Sequence, residues 1–206
     1  MYGIGRLRTG QPGFTLVEVL VVIGIIGIVV SMVVPAIASV RGEAHSTQCL
    51  SNLRQIHTAI ATHRGVNSDL LPLAAVLQGD AIDPDFIMLA DRLNAIVPKT
   101  SEVWMCPADH SEDSEQIGTS YFYSAGGWMQ AEPQTDRRRV VRLVTNRYDS
   151  GFLRTFPLAT DSNQYHEYGS RYPANAVFVD GHARVLKPAD FLIIPKDPDS
   201  IPDPPE

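Results

Sequence analysis

Residues 13–40 read GFTLVEVLVVIGIIGIVVSMVVPAIASV, and no water-facing surface could display such a run. Residues 19–30 contain no polar side chain, and beyond them only Ser31 and Ser39 interrupt the apolar character before Arg41. An α-helix rises about 1.5 Å per residue, so a run of this length crosses a hydrocarbon core of about 30 Å. In lipid the helix is nearly forced, because each backbone donor must find its acceptor within the segment. One charge lies inside the run, that of Glu18. A carboxylate there is costly unless it is paired or held at the interface, so the identity of its partner decides the function.

Three readings compete for this segment. The first is a single-pass anchor with Glu18 at the membrane edge. The second is a secretory signal peptide, with Arg6 and Arg8 as its basic front and Ala36-Ile37-Ala38 as a small-x-small cleavage site. Against it, the apolar run far exceeds the roughly 7–15 residues of a signal h-region, and an embedded Glu is unusual there. The third uses the whole string: a short basic leader ending in Gly13, then Phe14, then Thr15-Leu16-Val17-Glu18, then uninterrupted apolar helix. That string closely resembles the N-terminus of type IV prepilins and pseudopilins.

The resemblance implies a mechanism. A membrane prepilin peptidase would cut between Gly13 and Phe14 and methylate the new amine of Phe14. Glu18 would then meet the cationic N-terminus of a neighbouring copy in a helical stack of subunits. Pairing the two charges in low dielectric offsets much of their desolvation and fixes axial register. Pro35 stands where helices of this family often carry a kinking proline, which removes one helical hydrogen bond. Gly24 and Gly27 allow close helix approach, although their spacing is not GxxxG.

After residues 1–13 and the apolar helix over 14–40 are set aside, roughly 165 residues remain, enough for one globular domain over 41–194. The formal charge is −6 and becomes −8 when Arg6 and Arg8 leave with the leader. An acidic domain argues against nucleic acid as a partner. The basic leader, set against the mixed Arg41 and Glu43 beyond the helix, puts the N-terminus in the cytoplasm, the helix in the inner membrane and the domain in the periplasm. Cys49 and Cys106 can pair in such an oxidising exterior; the alternative is two buried thiols. The tail 195–206, rich in Pro and acids, reads as disordered.

Along the domain, Cys49, Leu53, Ile56 and Ile60 form one apolar stripe, so the helix is expected to continue to about residue 63, with Gly65 as its stop. His45, His57 and His63 lie on or near it without metal-pair spacing. The stretch Cys49, Asn52, Leu53, Arg54 and Gln55, the pair Cys106-Pro107 and the ending Asn175 to Gly181 are similar to a prepilin-type processing-associated family with a signature of His, nine residues, Asp-Gly. Asp180 and Gly181 match that signature, but Ser170 stands where its His would be, and His166 lies nearby at another spacing.

Further expectations concern local structure. Asp83-Pro84-Asp85 starts a helix that Pro98 ends. Residues 102–105 read as a short strand, and 109–115 as an acidic loop in which a structural calcium ion is the weaker alternative. Residues 121–123 read as a strand closed by Gly126-Gly127. The arginine-rich residues 134–147 read as an edge strand or exposed hairpin rather than a phosphate- or lipid-binding run. Residues 156–160 read as a strand, and 176–179 and 182–186 as a hairpin around a two-residue Asp180-Gly181 turn.

Asp161, His166, Asp180 and His182 could converge for metal binding or acid–base chemistry. Asp180 is already explained by its turn, however, and no phosphate loop, HExxH or nucleophile-elbow motif occurs. The expectation is therefore an α+β, pilin-like chain, its long N-terminal helix packed on a small antiparallel sheet. It would have no cofactor and no catalytic residues, and would act as a pseudopilin of a type II secretion-like filament whose partners are prepilin peptidase, sister subunits and the inner membrane. The alternative is a membrane-anchored ligand-binding or metal-dependent enzymatic domain that never polymerises.

Overall fold

The computed structural model describes residues 14–75, 86–131, 136–150, 153–161 and 174–186. The chain divides into two compact units, Met1–Arg41 and Gly42–Glu206. One helix, α1 (Leu16–Val66), runs through both. In the first unit the described side chains of α1 are exposed on every side. In the second, Cys49, Asn52, Leu53, Ile56, Ala59 and Ile60 turn inward at helical spacing. Burying each Leu or Ile fully is worth about 1.5–3 kcal/mol, which holds this half of the helix on the domain.

α1 outlasts its expected end. Gly65 is helical, and the left-handed turn falls on Ser68 (φ 55°) and Asp69 (φ 61°). Local bonds compensate for placing side chains there. The Asp69 N–H donates to the Arg64 carbonyl at 3.0 Å, the Asn67 amide to the His63 carbonyl at 2.8 Å, and Arg64 Nε to Asp69 Oδ1 at 2.9 Å. Arg64 also grips Asp149 with two nitrogens, at 3.2 and 2.7 Å.

Between α1 and the sheet the helix expected to run up to Pro98 is cut to one short turn among the described residues, while helix forms in two places where it was not expected. Met88 pairs with Ala75 in a single parallel bridge, and α2 (Leu89–Arg92) follows as one short turn. Its expected start at Asp83-Pro84-Asp85 lies outside the described residues. Glu102–Trp104 is a 3-10 turn rather than a strand. Ser101 caps it, and the buried Trp104 indole donates to the Pro98 carbonyl at 3.2 Å. The acidic stretch is also not a loop, because α3 (Glu112–Ile117) forms there. Ser111 caps its N-terminus, three acids in the first turn complement the helix dipole, and Gly118 (φ 80°) closes it.

Among the described residues, four antiparallel strands make one sheet in sequence order: β1 (Tyr121–Tyr123), β2 (Pro157–Asp161), β3 (Asn175–Phe178) and β4 (Ala183–Val185). Two α-helices and the 3-10 turn Leu153–Thr155, among the described residues, separate β1 from β2. α4 (Ser124–Ala131) contains the Gly126-Gly127 pair expected to end the strand. α5 (Arg137–Asp149) replaces the expected edge strand or hairpin. The Asp136 carboxylate accepts from the N–H groups of Arg138 and Arg139, at 3.0 and 3.3 Å, and so starts α5. Val140, Val141, Val144 and Tyr148 then bury one helical face.

The last hairpin also has a different turn. Val177 faces Ala183, the Phe178 N–H donates to the His182 carbonyl at 3.0 Å, and the Gly181 N–H to the Phe178 carbonyl at 2.9 Å. Three residues, Val179 to Gly181, therefore make the connection, with Gly181 left-handed at φ 86°. This is the three-residue turn with a glycine bulge rather than the two-residue one. The domain's outer half of α1 touches this hairpin directly: His57 Nε2 lies 3.0 Å from the Val179 carbonyl, and Arg54 donates to the Ala183 carbonyl at 3.4 Å. The expected α+β, pilin-like arrangement of one long N-terminal helix and a small antiparallel sheet is what the chain adopts.

Candidate processing and assembly site

Phe14, the first described residue, is 83% exposed, while Gly13 lies outside the described residues. Thr15 and Glu18 form a reciprocal cap on α1. The N–H and hydroxyl of Thr15 donate to Glu18 Oε2, at 2.8 and 2.7 Å, and the Glu18 N–H donates to Thr15 Oγ1 at 3.3 Å. This is the capping box, and its Thr-x-x-Glu spacing is plain in the sequence. Reading Glu18 only as a membrane charge overlooked it. A carboxylate can accept about four hydrogen bonds. Oε2 takes both bonds from Thr15, and Oε1 has no partner among the described residues.

Behind this cap, Leu16–Val34 is 19 residues long with a mean hydropathy of 2.9, enough to cross a membrane, and none of it is buried. Ser31 satisfies its hydroxyl on the Ile28 carbonyl at 2.7 Å, so the run presents no unsatisfied hydroxyl there. α1 continues without a break through Pro35. A side chain built on Gly24 or Gly27 would meet nothing within 4 Å.

Cys49 of α1 and Cys106, 57 residues apart, are joined by a disulfide with a Cα–Cα distance of 5.3 Å. Beside it lies a buried polar knot. Asp161 accepts from the Asn175 backbone N–H at 2.6 Å and from its side-chain amide at 2.7 Å, and Ser46 of α1 donates to Asn175 Oδ1 at 3.1 Å. Potential ligand atoms of Cys49, Cys106 and Asp161 lie within 4.8 Å of one another. They do not fit a metal, because the disulfide uses both sulfurs and Asn175 engages both carboxylate oxygens.

The suggested convergence of Asp161, His166, Asp180 and His182 does not form. His166 lies outside the described residues. Asp161 binds the first residue of β3, whereas Asp180 follows the last one, at the strand's other end. Asp180 accepts from the His182 N–H at 3.1 Å and pairs with its ring, which stacks on Phe178 at 4.2 Å. A Cβ on Gly181 would sit 2.9 Å from the His57 ring, so this turn needs glycine for space as well as for its backbone angle. In the acidic stretch, Asp109 accepts from the Ser111 N–H and hydroxyl at 2.9 and 2.7 Å, and Glu112, Asp113 and Glu115 stand exposed on α3.

Sequence reasoning singled out the arginines of 134–147 but set phosphate or lipid binding aside, and it did not place them with Arg92 beside the end of α1. Their helical spacing on α5 was the available signal, and it was read with the wrong period. Comparison with known families matches residues 8–34 to the prokaryotic N-terminal methylation motif. Neither a comparison with curated proteins nor one with solved structures finds a match. The motif and the unburied apolar helix that it opens support a type IV pilin-like protein processed by prepilin peptidase.

Proposed function

We propose that the chain is a pseudopilin-like structural subunit. Prepilin peptidase cuts it between Gly13 and Phe14 and methylates the Phe14 amine. The mature helix then leaves the inner membrane to join a type II secretion-like pseudopilus or a related filament, with the domain on the periplasmic side. The observation that supports this reading is the state of Glu18. One oxygen is held by its own chain and the other has no partner among the described residues, at the exposed start of an apolar helix. That oxygen can accept the ammonium of a second copy's N-terminus. Two opposite charges brought together in low dielectric offset each other's desolvation and define an axial step that smooth apolar helices cannot. The domain then acts by contact rather than by chemistry.

Mass spectrometry of the protein isolated from its membrane tests the proposal. The expected N-terminal peptide begins at methylated Phe14. An N-terminus still at Met1 would leave no amine in the required place and would favour a non-polymerising anchored domain.

A further inference from the structure

A cleft of about 450 Å³ opens between the end of α1, α2 and the first turns of α5. Arg92, Arg137, Arg138 and Arg142 line it together with His63, and among the described residues no Asp or Glu does. The chain as a whole carries 23 acids against 17 Lys and Arg. Four guanidiniums around one cleft therefore run against the composition.

The surroundings keep the charge of Arg92, Arg138 and Arg142 available. Arg92 spends Nε on the Leu73 carbonyl at 3.0 Å, and the Arg137 guanidinium lies over the Phe86 ring, 4.6 Å from its centroid. The contact of Arg92 with a carbonyl leaves its charge in place. Arg138 and Arg142 are exposed, four residues apart on one face of α5, and have no acidic partner among the described residues. Asp69, next in sequence to the cleft residue Ser68, is held by Arg64, as is Asp149. His63 Nδ1 is buried with no hydrogen-bond partner among the described residues. Leucines 70, 71 and 73 supply an apolar wall.

We propose that this cleft binds a compact phosphate-bearing anion, its head between Arg92, Arg138 and Arg142, with the leucines open to an apolar remainder where the anion carries one. One bidentate arginine satisfies a single carboxylate, whereas several forks converging on one cleft match the oxygens of a dianionic phosphate. A phospholipid head and a free phosphate compound offer the same chemistry, and the two differ in the apolar remainder.

The full-length protein in neutral detergent, titrated calorimetrically with inorganic pyrophosphate and with dihexanoylphosphatidic acid, tests the site. Saturable binding of at least one probe is expected. It should weaken at least tenfold in the double variant Arg138→Ser/Arg142→Ser and hold in Arg139→Ser/Arg154→Ser, which removes two exposed arginines outside the cleft. Tighter binding of the lipid supports a lipid head as the occupant; tighter binding of pyrophosphate supports a free phosphate. All four arginines are exposed, so thermal melts should show both variants folded. No saturable binding of either probe, or equal weakening in the two double variants, overturns the proposal.

Discussion

Thr15 both starts α1 and orients the one carboxylate in the apolar run, because its hydroxyl and N–H converge on a single oxygen of Glu18. Losing such a cap costs about 1 kcal/mol. In membranes, cysteine crosslinking should show Glu18→Ala inserted normally but poor in oligomers. Thr15→Val should fall between that variant and the parent, and Thr15→Ser should match the parent. Equal oligomer yields in all four would remove the charge-pairing account. At the other end of the chain, Gly181 has a positive φ and faces the His57 ring. Gly181→Ala should cost about 2 kcal/mol, lowering the melting temperature by roughly 4–8 °C. Gly181→Asn, which tolerates the angle, should recover part of that and leave the share due to His57. The need for a turn glycine was legible in Asp180-Gly181. The turn's length was not, since it depends on how β3 and β4 register.

Among the elements, α1 was the most legible, because twelve apolar residues and then a stripe at helical spacing leave little choice. α5 was the least. Val140, Val141, Val144 and Thr145 are β-branched and interleave with arginines, which favours a strand on local preference. The Asp136 cap and the burial of Val140, Val144 and Tyr148 against the core override it. Glu102–Trp104 and α3 were misread for a related reason: the serine caps that start them are short-range signals easily lost among acids and aromatics. The disulfide ties α1 to the segment after the 3-10 turn and closes a loop of 57 residues. On loop entropy it contributes about 4 kcal/mol. Cys49→Ser and Cys106→Ser should therefore melt well below the parent and coincide with the parent under reductant. A reductant-insensitive parent would show that the bond contributes nothing.

At the scale of the whole molecule, His63 at the foot of α1 makes stability depend on pH below neutrality. Burial, and then the charge of Arg92, lower its pKa from the ordinary 6.5. The unfolded chain thus takes up this proton first as the pH falls. The neutral ring's contribution is complete above about 6.5 and is lost on going down through that value. The melting temperature of the full-length protein should drop over this window, and His63→Gln should flatten the drop. An unchanged slope in that variant would assign the pH dependence elsewhere. The covalent bond at Cys49 also has a mechanical side. Traction applied to the apolar half of α1 is passed on to the domain along the same helix. Non-covalent packing alone could shear under such a load, letting the helix slide out like a drawn pin. A rivet one third of the way up from the helix's far end makes the globular part travel with whatever hauls on its stem.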